Sequence, residues 1–254
     1  GCATKSNENT SGYPELVSPE VHADNSVTFR YRAPDAKSVK VDPQFMEGMA
    51  DMVKDENGVW SVTLGPVAPD MYPYGFVVDG VTVMDDNNPC YFENERFKGS
   101  ILDVEGEKPL VHSIQDVPHG TVNYDYYVSD VLGTTGRVLV YTPPGYDENP
   151  TQSYPVFYLI SGTTDTDETY FKVGRANFIF DNLIAQGLAK PMIVVMPYGN
   201  PAAYFDANDP RGVEAGRRLS EDILNVMMPY IEKSYRTINN AENRAIGGFS
   251  RGGN

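Results

Sequence analysis

The feature that most constrains this chain is a change of hydrophobic period near its middle. Before about residue 105 apolar residues alternate with polar ones, and after about residue 118 they come in solid runs and at helical spacing. Alternation with period two builds strands buried on one face, whereas a solid apolar run of roughly four to eight residues suits a strand covered on both faces. Two such textures in series predict two architectures in series, and 254 residues leave room for both.

In the first half Val27, Phe29 and Tyr31 alternate with Thr28, Arg30 and Arg32, and Ser38 to Val41, Trp60 to Leu64 and Tyr74 to Val78 repeat the period. Turn chemistry separates them at Asp55, Glu56, Asn57, Gly58 and at Asp79, Gly80. The pattern predicts an all-β sandwich over 15–105, behind a polar leader at 1–14. The stretches VTFRYRAPDAKSVKV, KDENGVWSVTLGPVAPDMYPYGFVVDG and DNNP resemble the immunoglobulin-like module related to glycogen-binding domains. Sugar binding by such a module takes exposed aromatic faces. Trp60 is the only tryptophan and falls on a strand that packs inward, so it is expected to be structural. Tyr72, Tyr74, Tyr91 and Phe92, at strand ends, read as rim packing rather than a sugar platform. Two cysteines so far apart make no disulfide framework, so Cys90 is expected as a buried free thiol.

Residues 106–118 read as a linker. Beyond it, Val138 to Tyr141, the solid run Val156 to Ile160, Met192 to Met196 and Ala245 to Phe249 read as strands. Asn177 to Gln186 reads as a helix stopped at Gly187, and Gly216 to Tyr235 as an amphipathic helix with Leu219, Ile223, Met227, Ile231 and Tyr235 on one face. This alternation predicts a mainly parallel sheet with helices on both faces. Its last strand runs into Gly248, Phe249, Ser250, Arg251, Gly252, a G-x-S-x-G pattern. A serine on a sharp strand-to-helix turn projects its hydroxyl above the carboxyl edge of the sheet, and the next residue offers its backbone N–H to a developing oxyanion.

The segments VPHGTVNYDYYVSDVLGTTGRVLVYTPPGY, YPVFYLISG, VGRANFIFDNLIAQGLAKPMIVVMPYG, DILNVMMPYIEKSYR and NRAIGGFSRGG resemble, in order, the esterase D family, in particular bacterial feruloyl esterases of carbohydrate esterase family 1. The resemblance implies an α/β-hydrolase domain over 119–254, with Ser250 as nucleophile and the backbone N–H groups of Arg251 and Thr163, or Thr164, as oxyanion donors. Ser161 stands where the family usually has histidine, and Arg251 and Asn254 also depart from its commoner residues. The implied activity is hydrolysis of carboxylic esters through an acyl-serine, with feruloyl or other acyl groups on plant polysaccharide as substrate and no cofactor. Acyl transfer, siderophore-ester hydrolysis, or a catalytically degenerate glycan-binding protein are the alternatives.

In this fold the acid and the histidine follow the serine, yet His22, His112 and His119 all precede it. The reading is therefore of a hydrolase domain truncated after the nucleophile elbow, a fragment of a longer chain, with an open apolar sheet edge and no base of its own. His119 is expected to be structural. The net charge of −15 argues against nucleic acid, and no run is long and apolar enough for a membrane helix. Gly1 and Cys2 followed by a polar stretch resemble the start of a mature bacterial lipoprotein, which implies a lipid anchor at Cys2 and an extracytoplasmic location. Asp165, Asp167 and Glu168, or Asp206 and Asp209, read as solvated carboxylates rather than a metal site, since no histidine accompanies them.

Overall fold

In a computed structural model the structure describes residues 16–93, 98–162, 165–199, 206 and 208–248. They divide into two compact units, one ending at Leu110 and the other starting at Val111. Among the described residues no helix is long and apolar enough to cross a membrane.

The first unit is built from two antiparallel sheets. One runs β1 (Glu20–Val21), β2 (Val27–Arg32), β6 (Val59–Leu64), β5 (Val53–Lys54). The other runs β4 (Ala50–Asp51), β3 (Val39–Pro43), β7 (Asp70–Val78), β10 (Lys98–Val104), β9 (Tyr91–Glu93), with β8 (Val81–Val83) paired to β7 across the two-residue turn Asp79–Gly80. Alternate residues of both sheets feed one core of Val27, Phe29, Val39, Val41, Trp60, Tyr74, Phe76 and Leu102. The period-two reading of this half therefore holds strand by strand. Trp60 is buried and its indole N–H donates to the Ala33 carbonyl at 2.9 Å, an interior role. Tyr74 is a core residue, not a rim one, and Tyr72 packs edge-on against Phe45. Cys90 corrects the sequence reading: it is half-buried and disulfide-bonded, with its partner outside the described residues.

Asp85 ties the second sheet together. Its carboxylate accepts from the hydroxyls of Ser18 at 2.6 Å and Tyr74 at 2.7 Å, and its N–H donates to Ser100 at 2.8 Å. Asn88 completes the knot by donating to Tyr74 Oη and to the Ile101 carbonyl, each at 2.9 Å.

The second unit contains a five-stranded sheet in the order β11 (Thr121–Ser129), β12 (Thr134–Thr142), β14 (Ile193–Pro197), β13 (Val156–Ile160), β15 (Arg244–Gly248). Pairings β11 to β12 and β12 to β14 are antiparallel, while β14 to β13 and β13 to β15 are parallel. The sheet is thus mixed, because β12 alone runs against the shared direction of β11, β14, β13 and β15. Helix α1 (Ala176–Ala185) packs on one face through Ala176 and Phe180, and its C-terminal turn ends at Gly187 with φ +70°.

On the other face lies a long helical element: α2 (Pro210–Asp222), a π-helical turn (Ile223–Met227) and α3 (Met228–Ser234). Asp209 caps its start by accepting from the Arg211 N–H, and Pro210 fills the first helical position. Residues four apart drift by about 40° per step round a regular helix of 3.6 residues per turn. The wider π turn takes up that drift, so Ile223, Met227 and Ile231 all reach the core against Val138, Val156 and Tyr158.

Burial raises the Asp85 carboxyl above its ordinary range. The native state then holds that proton more tightly than the unfolded chain, so this contribution is full below about pH 4 and drains as pH rises through the native value. Measured by thermal unfolding against Asp85→Asn, the wild type should lose relative stability from pH 4 to 7. Asp85→Ala, which strands the Ser18 and Tyr74 hydroxyls, should cost about 3 kcal/mol.

Candidate active site

The sequence-predicted nucleophile Ser250 and the oxyanion donors Arg251, Thr163 and Thr164 lie outside the described residues. What the structure does give is the two strands that lead to them. Strands β13 and β15 run parallel and in register from Val156 opposite Arg244 to Ile160 opposite Gly248. Both therefore finish at the same edge of the sheet on neighbouring strands, about 4.8 Å apart in the hydrogen-bonding direction. Chain leaving β13 becomes Ser161 and Gly162, both buried, and chain leaving β15 is the G-x-S-x-G segment.

Strand β15 needs a glycine at position 247 to lie there. A Cβ on Gly247 would come within 2.8 Å of Phe157 Cζ on the adjoining strand, closer than packed carbons allow. Glycine at this position lets β15 sit flat against β13, three residues before Ser250.

Around this edge the loops are tied by named contacts. Tyr170, in the π-helical turn Thr169–Val173, donates its hydroxyl to the Ile160 carbonyl at 2.8 Å, anchoring the root of the loop that follows β13. Arg137 on β12 holds Asp167 with two hydrogen bonds, Nε to Oδ2 at 2.8 Å and Nη2 to Oδ1 at 2.7 Å. The Arg137 guanidinium also lies over the Tyr198 ring, 5.0 Å from its centre, just past the end of β14. The Asp167 carboxylate raises the Arg137 guanidinium above its already high value.

Of the carboxylates read from sequence as solvated, Asp165 and Asp167 are buried, which corrects that reading, and three have side-chain partners. Asp167 is bound to Arg137, Glu168 is paired with Lys172, and Asp209 caps a helix and grips the Arg211 guanidinium. Among the described residues no three His, Cys, Asp or Glu side chains gather as metal ligands.

His119 stands away from this edge. His22 pairs with Thr28 in the first unit. His119 Nδ1 lies 2.8 Å from Asp181, a carboxylate that also accepts from the Gly120 N–H and the Tyr141 hydroxyl where the parallel strands begin, at the opposite edge. His119 thus fixes the lead-in to β11. Sequence reasoning missed Arg137 and Tyr198. Nothing in the local pattern flags an arginine in a hairpin strand; its partner is thirty positions on and meets it only through the sheet.

The Ser161 hydroxyl is buried and without a hydrogen-bond partner among the described residues. A buried hydroxyl with no partner contributes no net stability. Ser161→Ala should therefore leave the thermal midpoint unchanged or slightly raised, within about 0.5 kcal/mol by denaturant titration.

Comparison with known proteins adds to this geometry. Residues 129–254 match the family model Esterase, described as "Putative esterase". The chain is 32% identical over 254 residues to an endo-1,4-beta-xylanase/feruloyl esterase of Xylanibacter ruminicola, covering 96% of this chain and 34% of that protein. It is 32% identical over 132 residues to an esterase of Mycobacterium tuberculosis, covering 51% of this chain and 27% of that one. It thus spans about a third or less of the length of these relatives. Among solved structures, the enterobactin esterase of Shigella flexneri superposes with a TM-score of 0.64 at 16% identity, over 89% of this chain and 64% of that one. That likeness is one of fold, and the strand order of the second unit is that of an α/β-hydrolase sheet. With the family match and the ordered strands in agreement, residues 129–254 of this chain belong to the Esterase family.

Proposed function

We propose that the protein is a serine carboxylic-ester hydrolase that releases feruloyl or other acyl groups from plant polysaccharide. The observation that supports this reading is the parallel pairing that ends with Ile160 opposite Gly248, because β13 and β15 then finish at one edge of one sheet. The Ser250 hydroxyl adds to the ester carbonyl carbon while a base takes its proton. The tetrahedral oxyanion is met by the backbone N–H groups of Arg251 and Thr163. Collapse breaks the ester bond and the sugar alcohol leaves with that proton. Water then cleaves the acyl-serine to the free acid and restores Ser250.

The feruloyl and polysaccharide assignment follows the relative that matches across 96% of the chain and is named as both xylanase and feruloyl esterase. The shared-core β unit ahead of the hydrolase is proposed to be an immunoglobulin-like module, its sequence resemblance supported by two antiparallel sheets around one core. Buried Trp60 and Tyr74 favour a structural role for it over sugar stacking. A fluorophosphonate probe applied to the full-length protein should label Ser250 and release of ferulate from methyl ferulate should follow the same residue; labelling that survives Ser250→Ala sinks the proposal.

An extracytoplasmic location is proposed as well. A disulfide at Cys90 fits an oxidising compartment, and the Gly1–Cys2 start with its polar run fits a lipid-modified terminus. A thioether lipid on Cys2 and a disulfide between Cys2 and Cys90, the 2 cysteines of this sequence, exclude each other. Intact mass of protein purified from its source, before and after reduction, separates them: an acyl adduct marks the anchor, and a gain of two hydrogens on reduction marks the disulfide.

A further inference from the structure

Arg137 does not belong to the serine chemistry, yet it is attached to both loops that leave the carboxyl edge beside it. Through Asp167 it holds the loop after β13, and through the ring of Tyr198 it touches the loop after β14. The Tyr198 N–H also donates to the Arg137 carbonyl at 3.3 Å, so backbone and side chain of this one residue share the attachment. The Asp167 side chain is 0% exposed while that of Arg137 is 33% exposed. The acid is withdrawn into the loop and the cation reaches in from the strand.

The loop after β13 is thus pinned at two points, by Tyr170 at the Ile160 carbonyl and by Arg137 at Asp167. Thr163 lies between those pins in sequence. A backbone donor acts on a transition state only when its N–H is aimed beforehand, and such aim is set by contacts of the surrounding shell. We propose that Arg137, through its two-pronged hold on Asp167, is a positioning residue for the ester chemistry at this edge. This inference rests on the serine-esterase reading given above. The planar guanidinium fork matters here and not the charge alone: two parallel hydrogen bonds fix the orientation of Asp167, while an ammonium makes a point contact that leaves it free to turn.

The test uses the full-length protein, an aryl acetate ester as substrate, and an aryl boronic acid as tetrahedral mimic. Arg137→Lys should lower kcat by about tenfold to a hundredfold, a fraction of what losing an oxyanion donor costs, with KM within about twofold of wild type. Affinity for the boronic acid should fall in step with kcat, whereas affinity for the product acid should not change. Asp167→Asn, which keeps shape and one acceptor, should show the same split and stands in if the lysine variant does not fold. Arg218→Lys, on the exposed face of α2 beside Glu214, serves as control and should match wild type. A folded Arg137→Lys or Asp167→Asn with kcat within twofold of wild type overturns the inference, as does a parallel change in kcat, KM and product affinity. Failure of the serine-ester reading shows differently: the wild type itself would neither hydrolyse the ester nor take a fluorophosphonate on Ser250.

Discussion

The second unit depends on one constraint, the shared direction and register of β14, β13 and β15. Parallel strands must finish at the same edge, and whatever chain leaves them must begin there. Ile160 and Gly248 are opposite one another, so the segments after them start as neighbours although Val156 and Arg244, their partners at the other end, are far apart in sequence. Gly247 makes this fit by leaving space for the Phe157 ring. The antiparallel hairpin β11–β12 plays a different part: it widens the sheet and supplies Arg137 at the edge where the loops emerge.

A second recurring device is the tyrosine hydroxyl given to a buried or half-buried carboxylate. Tyr74 serves Asp85, Tyr141 serves Asp181, Tyr127 serves Asp222, and Tyr230 and Tyr235 both serve Asp125. Desolvation lifts each of these phenols above its ordinary value, which keeps the proton on oxygen and the hydrogen bond in place. A chain of net charge −15 has few cations to spend on its interior, and a neutral donor on a rigid ring satisfies an acid without one. Against that background the bidentate Arg137–Asp167 pair is a different choice, made at the carboxyl edge of the sheet.

Much of the fold was legible because hydrophobic period survives into structure. Val156 to Ile160 is a strand with the bounds read from its solid apolar run, and the four-residue recurrence of Leu219, Ile223, Met227 and Ile231 does mark the buried face of a helix. Two features escaped. The helix begins at Pro210, earlier than its apolar stripe, because Asp209 and Pro210 start it and charged pairs such as Glu214 with Arg217 line a face that never meets the core. Strand β11 reads poorly since Tyr124, Tyr126 and Val128 are apolar yet exposed, so its alternation carries no inside-outside contrast. At the site, the strands and the Ser161–Gly162 turn were readable, and the residues that bind the loops were not. Their partners are set by sheet register, which a local pattern does not encode. The disulfide at Cys90 was missed for a related reason: sequence separation says little about distance once the chain is folded.

The strand order has a consequence for how the molecule comes together. Hairpin β11–β12 closes across a short turn and needs only local encounters, whereas β15 can find β13 only after the chain through α1, β14 and the long helix has been laid down. Pairings between sequence-distant strands carry a large loop-closure entropy and form late. Among the described strands, β15 is accordingly expected to be the last to gain its neighbour, β13. A newly made or partly opened chain therefore holds the hairpin before β15 settles against β13 and fixes the edge at which Gly248 stands.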